Sequence, residues 1–162
     1  MEDLARIRDS YINDGLSYAQ AEARCAQDAM LDLITKSTLV DNITIKGGVL
    51  MQHVSKDARR ATTDFDLDFV RYPIADTSIK KFIKTLDTGG SAFSVKLTGS
   101  IEELKHQDYS GKRIHVIISD DLGNSIERYL LPARRQGRRP RKAWRCPRRP
   151  RAQRRFHARA KL

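Results

Sequence analysis

Three aspartates alternate with apolar residues in Asp64-Phe65-Asp66-Leu67-Asp68-Phe69-Val70. On an extended strand this period of two turns Asp64, Asp66 and Asp68 to one face and Phe65, Leu67 and Phe69 to the other. Like charges spaced roughly 7 Å apart, with no Lys or Thr between them, point to a cation as their partner, because hard divalent ions take oxygen ligands. Upstream, Ile43-Thr44-Ile45-Lys46 runs into Gly47-Gly48. Paired glycines let backbone N–H groups approach a phosphate without a Cβ in the way, and a helix starting there adds its positive end. Arg60-Ala61-Thr62-Thr63 lies between the two features. Taken singly, a Gly-Gly after a strand is an ordinary turn, and alternating Asp is an ordinary solvated face. The ordered set outlines a phosphoryl-transfer site. There, two divalent ions roughly 3.5–4 Å apart bind a triphosphate, activate a hydroxyl and stabilise the leaving pyrophosphate.

The elements that must hold these residues follow from periodicity. Ser17-Tyr18-Ala19-Gln20 has capping-box form. Ala21, Cys25, Ala29 and Leu33 recur behind it at helical spacing, which predicts a helix over 18–37. A shorter helix over 3–13 precedes it, with Leu4, Ile7 and Tyr11 on one face and Gly15 as a stop. Strand 43–46 leads through Gly47-Gly48 into a helix over 49–56, with Leu50, Met51 and Val54 as its buried side. After strand 64–70, Ser78 opens a helix through Ile79, Phe82, Ile83 and Leu86, and Gly89-Gly90 turns the chain. Strands at 92–98, 112–119 and 125–130 follow, the last two joined by a hairpin turn at 120–124. The order α-α-β-α-β-α-β-β-β predicts an α/β or α+β fold with a mixed sheet.

Charge divides the 162 residues in two. Residues 1–127 hold all 20 acids and 16 of the 31 bases, a net charge of −4, whereas 128–162 hold 15 bases and no acid. The expected organisation is therefore a slightly acidic core over 1–128 and a tail over 129–162. That tail has 12 Arg, 4 Pro and 5 Ala, and too little apolar surface to offset its backbone entropy. It reads either as an arm that binds RNA phosphates by counterion release, with Trp144 and Phe156 for stacking, or as an out-of-frame, non-native C-terminus. No apolar run approaches the roughly 20 residues of a membrane helix, and Met1-Glu2-Asp3 does not open a signal peptide. Only Cys25 and Cys146 are present, which excludes a disulfide framework and makes a cytoplasmic location the expectation. His53, His106 and His115 lack zinc-ligand spacing and read as structural or surface residues. Lys105, His106, Asp108 and Tyr109 read as a polar loop.

Lys46-Gly47-Gly48-Val49-Leu50 followed by Arg60-x-Thr62-x-Asp64-x-Asp66 resembles the nucleotidyltransferase toxins of the AbiEii/AbiGii abortive-infection family. The resemblance covers roughly residues 15–128 and continues through Arg71-Tyr72 and the segment from Ile101 to Arg113. It implies a core with the palm of DNA polymerase β and transfer of a nucleotide from an NTP to an acceptor hydroxyl, with RNA or tRNA as acceptor. It further implies Mg²⁺ at a two-metal site and a cognate antitoxin as partner, as in a toxin–antitoxin system. Asp64 and Asp66 match the catalytic, metal-binding pair; Gly47 and Gly48 match the phosphate-binding turn. Lys46, Arg60 and Thr62 match nucleotide-binding positions around it. A register with Asp66 and Asp68 as the metal pair is the alternative. The resemblance also implies a third carboxylate on a later strand, where this chain has no acid after Glu127. Glu127, Asp120 and Asp121 are the candidates to replace it, and without one of them the enzyme is truncated and impaired.

Overall fold

The computed structural model describes residues 3–45, 65–88, 90–105 and 109–135. Helix α1 (Leu4–Asn13) and helix α2 (Tyr18–Lys36) open the chain, and a 3-10 turn at Val40–Asn42 leads into strand β1 (Ile43–Ile45). Strand β2 (Phe65–Phe69), helix α3 (Asp76–Asp87) and strands β3 (Phe93–Lys105), β4 (Tyr109–Asp120) and β5 (Ser125–Arg135) follow. Together they make a mixed α+β fold. The expected helix over 49–56 lies outside the described residues.

The capping box forms as expected. Ser17 Oγ accepts the Gln20 N–H, and Gln20 Oε1 accepts the Ser17 N–H at 3.0 Å. Both donors would otherwise be orphaned at a helix start. Helix α3 begins at Asp76, ahead of the predicted Ser78, on an Ala75 cap without a side-chain hydrogen bond.

The sheet has the order β1-β2-β5-β4-β3. Strand β1 pairs antiparallel with β2, β2 runs parallel to β5, and β5-β4-β3 form an antiparallel meander. One face of the sheet and the inner faces of the helices make a single core. Cys25, Ala29 and Leu33 of α2 and Ile79, Phe82 and Leu86 of α3 cluster with Phe65, Leu67, Phe69, Val95, Ile114, Val116 and Leu130. The residues alternating with these on the strands point to the other face, and none of them joins that cluster. Among the described residues no helix covers this second face.

Strands β3 and β4 run past their predicted ends, so Lys105 and Tyr109 belong to strands where a loop is expected. The larger difference is β5. It runs to Arg135 rather than to about 130, so Tyr129–Arg135 of the expected tail are the middle of a sheet. Leu130 is fully buried, and Ala133 is buried too. Pro132 sits in this central strand opposite Leu67 of β2. The β4–β5 register runs from Ser119↔Ser125 to Ile114↔Leu130 and resumes at Gly111↔Ala133. The gap falls at Leu131 and Pro132, and proline has no N–H to give a ladder.

The β4–β5 turn is tied to α1. Asp120 Oδ2 accepts the Leu4 N–H at 2.9 Å, and Asp120 Oδ1 accepts those of Leu122 and Asn124 at 3.0 and 2.9 Å. Asn124 Nδ2 donates to Asp3 Oδ1 at 3.1 Å. Gly123 closes the turn at φ 89°, which a residue with a Cβ adopts only at a cost. Arg128 of β5 pairs with Glu22 of α2 at 2.8 Å, a second strut between sheet and helices.

Candidate functional site

The site begins with β2. Phe65, Leu67 and Phe69 are 4%, 0% and 3% exposed, which fixes the strand's rotation and turns Asp66 and Asp68 to the face opposite the core, half-buried. That matches the predicted alternation. Thr44 of β1 is level with Asp68, and on the other side Asp66 is level with Leu131 and Asp68 with Ala133 of β5. Residues side by side in a parallel pair point to the same face, with strands about 4.8 Å apart. The two carboxylates are thus flanked on β5 by an aliphatic chain and a methyl group. Carboxylate oxygens are hard donors of the kind Mg²⁺ takes, so the pair fits that ion in ligand type. Lys46, Gly47, Gly48, Arg60, Thr62 and Asp64 lie outside the described residues.

The three candidates for a further carboxylate stand elsewhere. Asp120 is committed to the turn and to α1 by four donors, the Leu4, Leu122 and Asn124 amides and the Asn124 side chain, and lies beside the start of β5, at the opposite end of that strand from Leu131. From Ser125 to Leu131 the strand covers roughly 20 Å. Burial alone would raise the Asp120 carboxyl, but the Asn124 side chain and the Leu4, Asn124 and Leu122 amides outweigh it and hold it below the usual carboxylate range. Asp121 is exposed in the same turn. Glu127 does share the face of Asp66, yet it precedes Leu131 by four residues, roughly 13 Å along the strand. Its Oε2 lies 3.3 Å from His115 Nε2.

The same face carries a polar cluster that the sequence reading did not assemble. His115 Nδ1 is 2.8 Å from Thr98 Oγ1, and its ring lies 4.9 Å from that of Tyr129. The Arg113 guanidinium also lies over the Tyr129 ring, 4.9 Å from its centroid. Arg113 and His115, two apart on β4, were legible as one face of a strand. That Tyr129 joins them depends on the pairing of β4 with β5, His115↔Tyr129. Cys25, by contrast, is a core residue whose thiol burial pushes up to about 12, which keeps it protonated at neutral pH and removes it as a nucleophile.

A scan of protein-family models returns no match for the chain, and a search of curated proteins finds none either. No helix among the described residues is long and apolar enough to cross a membrane.

Proposed function

We propose that this chain is the core of a metal-dependent nucleotidyltransferase that binds an NTP and transfers its nucleotide to an acceptor hydroxyl only weakly. The observation that carries the reading is the placement of Asp66 and Asp68 on the face of a mixed sheet opposite the core, on a strand whose other face is locked into that core. Asp64 and Asp66, or Asp66 and Asp68, are the residues that would hold Mg²⁺. Bound there, the ion supplies charge neutralisation for phosphate oxygens. Gly47-Gly48 offers backbone donors to the phosphates, with Lys46, Arg60 and Thr62 beside them. RNA or tRNA is the acceptor this reading favours, and an antitoxin its regulator, both resting on the resemblance of the Gly-Gly to Asp-x-Asp segment.

Weak transfer follows from β5. The positions beside Asp66 and Asp68 are Leu131 and Ala133, and neither can position a second ion or take the acceptor's proton. A general base alone contributes about 10²–10⁴-fold.

The test is Mg²⁺-dependent NTP binding, measured with incorporation of labelled NTP into total RNA, in the natural chain and Asp66→Asn. Binding that requires Mg²⁺ and disappears in Asp66→Asn is expected, with incorporation near background in both. Mg²⁺-dependent binding that is equal in both proteins would remove the reading.

A second reading has its own observation: 15 bases and no acid over 128–162. It makes the chain a non-catalytic nucleic-acid binder whose affinity falls steeply with salt. Retained salt-sensitive RNA binding in a protein that binds no NTP would favour it.

A further inference from the structure

We infer that Arg113, lying over the Tyr129 ring, is a phosphate-binding residue on the sheet face opposite the core, contributing a second anion contact beside Asp66 and Asp68. The inference rests on the nucleotidyltransferase reading for the identity of the ligand, a nucleotide phosphate, and on the geometry of Arg113 for its place.

Four observations converge. The guanidinium lies over an aromatic ring, 4.9 Å from the Tyr129 centroid, a contact that restrains the side chain and reduces the entropy lost when it forks onto an anion. Its Nε is shut away from water without a hydrogen-bond partner. Its Cα partner across the β3–β4 ladder is Glu102, yet among the described residues no carboxylate pairs with it. A half-buried arginine ordinarily finds such a partner, since leaving charged donors unmet is costly. Finally, the register places it on the right face. Asp66 is level with Leu131, and continuing the β4–β5 register puts Arg113 opposite the same Leu131. Asp66 and Arg113 are therefore two strand spacings apart, roughly 10 Å between their Cα atoms, with Leu131 on the strand between them. Lys112, its neighbour on β4, has the opposite fate. It points to the helix-covered side, where Asp76 and Glu103 neutralise it. Among the described residues two adjacent bases on one strand thus differ, since carboxylates neutralise Lys112 and none neutralises Arg113.

Tyr129 remains 43% exposed, so the ring end of the pair is open to solvent. A phosphate there comes either from the NTP, held jointly with an ion on Asp66 and Asp68, or from the backbone of an acceptor RNA crossing the face.

The experiment titrates ATP with Mg²⁺, and a short oligoribonucleotide in EDTA, against the natural chain, Arg113→Gln and Arg113→Lys. The salt is kept high enough to suppress non-specific binding by the C-terminal arginines. A loss of about ten- to a hundredfold is expected for Arg113→Gln. Arg113→Lys, which keeps the charge but loses the fork and the stack, should fall between. Loss confined to ATP assigns the phosphate to the NTP, and loss confined to the oligoribonucleotide assigns it to the acceptor. Unchanged affinity for both ligands in Arg113→Gln overturns the inference. Thermal unfolding midpoints within a few degrees of the natural chain show that the variants are folded. If Arg113→Gln is not, Arg113→Lys is read alone, and its unchanged affinity for both overturns the inference equally. The oligoribonucleotide arm contains no metal, so it stands whatever Asp66→Asn shows, and the two readings can fail separately.

Discussion

Asp120 illustrates how one carboxylate can look catalytic in a sequence and be structural in a fold. It accepts from Leu4, 116 positions earlier in the chain, and from its own turn, and so caps α1 while holding the β4–β5 hairpin. Its partner groups all favour the charged form, so its folded pKa is lower than its unfolded one. The stability it contributes is therefore complete above the ordinary value of 3.8 and is lost as pH falls through the lower folded value. Asp120→Ala should cost about 1–3 kcal/mol near neutrality by stranding buried amides. The gap to the natural chain should narrow in urea titrations carried to about pH 3. A gap independent of pH would show that the carboxylate's charge is immaterial. Nothing in the local sequence reveals this role, because the donor it serves is set by how α1 docks. Asp66 and Asp68 were legible for the converse reason, since their orientation is decided within five residues by Phe65, Leu67 and Phe69. The Arg113–Tyr129 pair belongs with Asp120, being a contact between strands.

At the scale of elements, the same distinction separates α2 from β5. Helix α2 carries its own start signal in Ser17 and Gln20 and its own periodicity, and its observed span, Tyr18–Lys36, falls within a residue of the expectation. Strand β5 carries contrary local signals. Pro132 removes a donor, and Arg134 begins a run of like charges, so composition reads as chain without structure. What holds Tyr129–Arg135 in the sheet is pairing on both sides, with β2 from Phe65↔Leu130 onward and with β4 to Tyr109↔Arg135. Those partners are distant in sequence. The consequence is testable by truncation. A chain ending at Arg128 loses buried Leu130, worth about 1.5–3 kcal/mol, and with it the half of β5 that pairs with β2. A chain ending at Arg135 keeps both. Circular dichroism melts should show a cooperative transition for the longer chain and a far weaker one, or none, for the shorter. Equal melting of the two would mean that the second half of β5 contributes nothing to the fold.

At the scale of the whole molecule, the sheet divides the labour between its faces. One is spent on the core with α1, α2 and α3; the other displays Asp66, Asp68, Arg113, His115 and Glu127 in rows set by strand register. In that arrangement Leu131 is level with Asp66, one strand spacing away, about 4.8 Å, and on the nucleotidyltransferase proposal this is the position for a third carboxylate. Leu131→Asp tests directly whether this single position limits the chemistry. Without metal the substitution should destabilise the protein, because a new charge sits beside Asp66 on a half-buried surface. With Mg²⁺ the repulsion becomes a binding site, and the unfolding temperature of Leu131→Asp should rise more on adding Mg²⁺ than that of the natural chain. Transfer of labelled NTP to RNA should increase by about 10²-fold or more and vanish again in the double variant with Asp66→Asn. Stabilisation by Mg²⁺ without any transfer would locate the deficit elsewhere, in the acceptor's path or the Gly47-Gly48 turn. If Leu131→Asp gains neither Mg²⁺ stabilisation nor transfer, the face is not a metal site, and the role of the alternating aspartates reduces to solvation of the sheet.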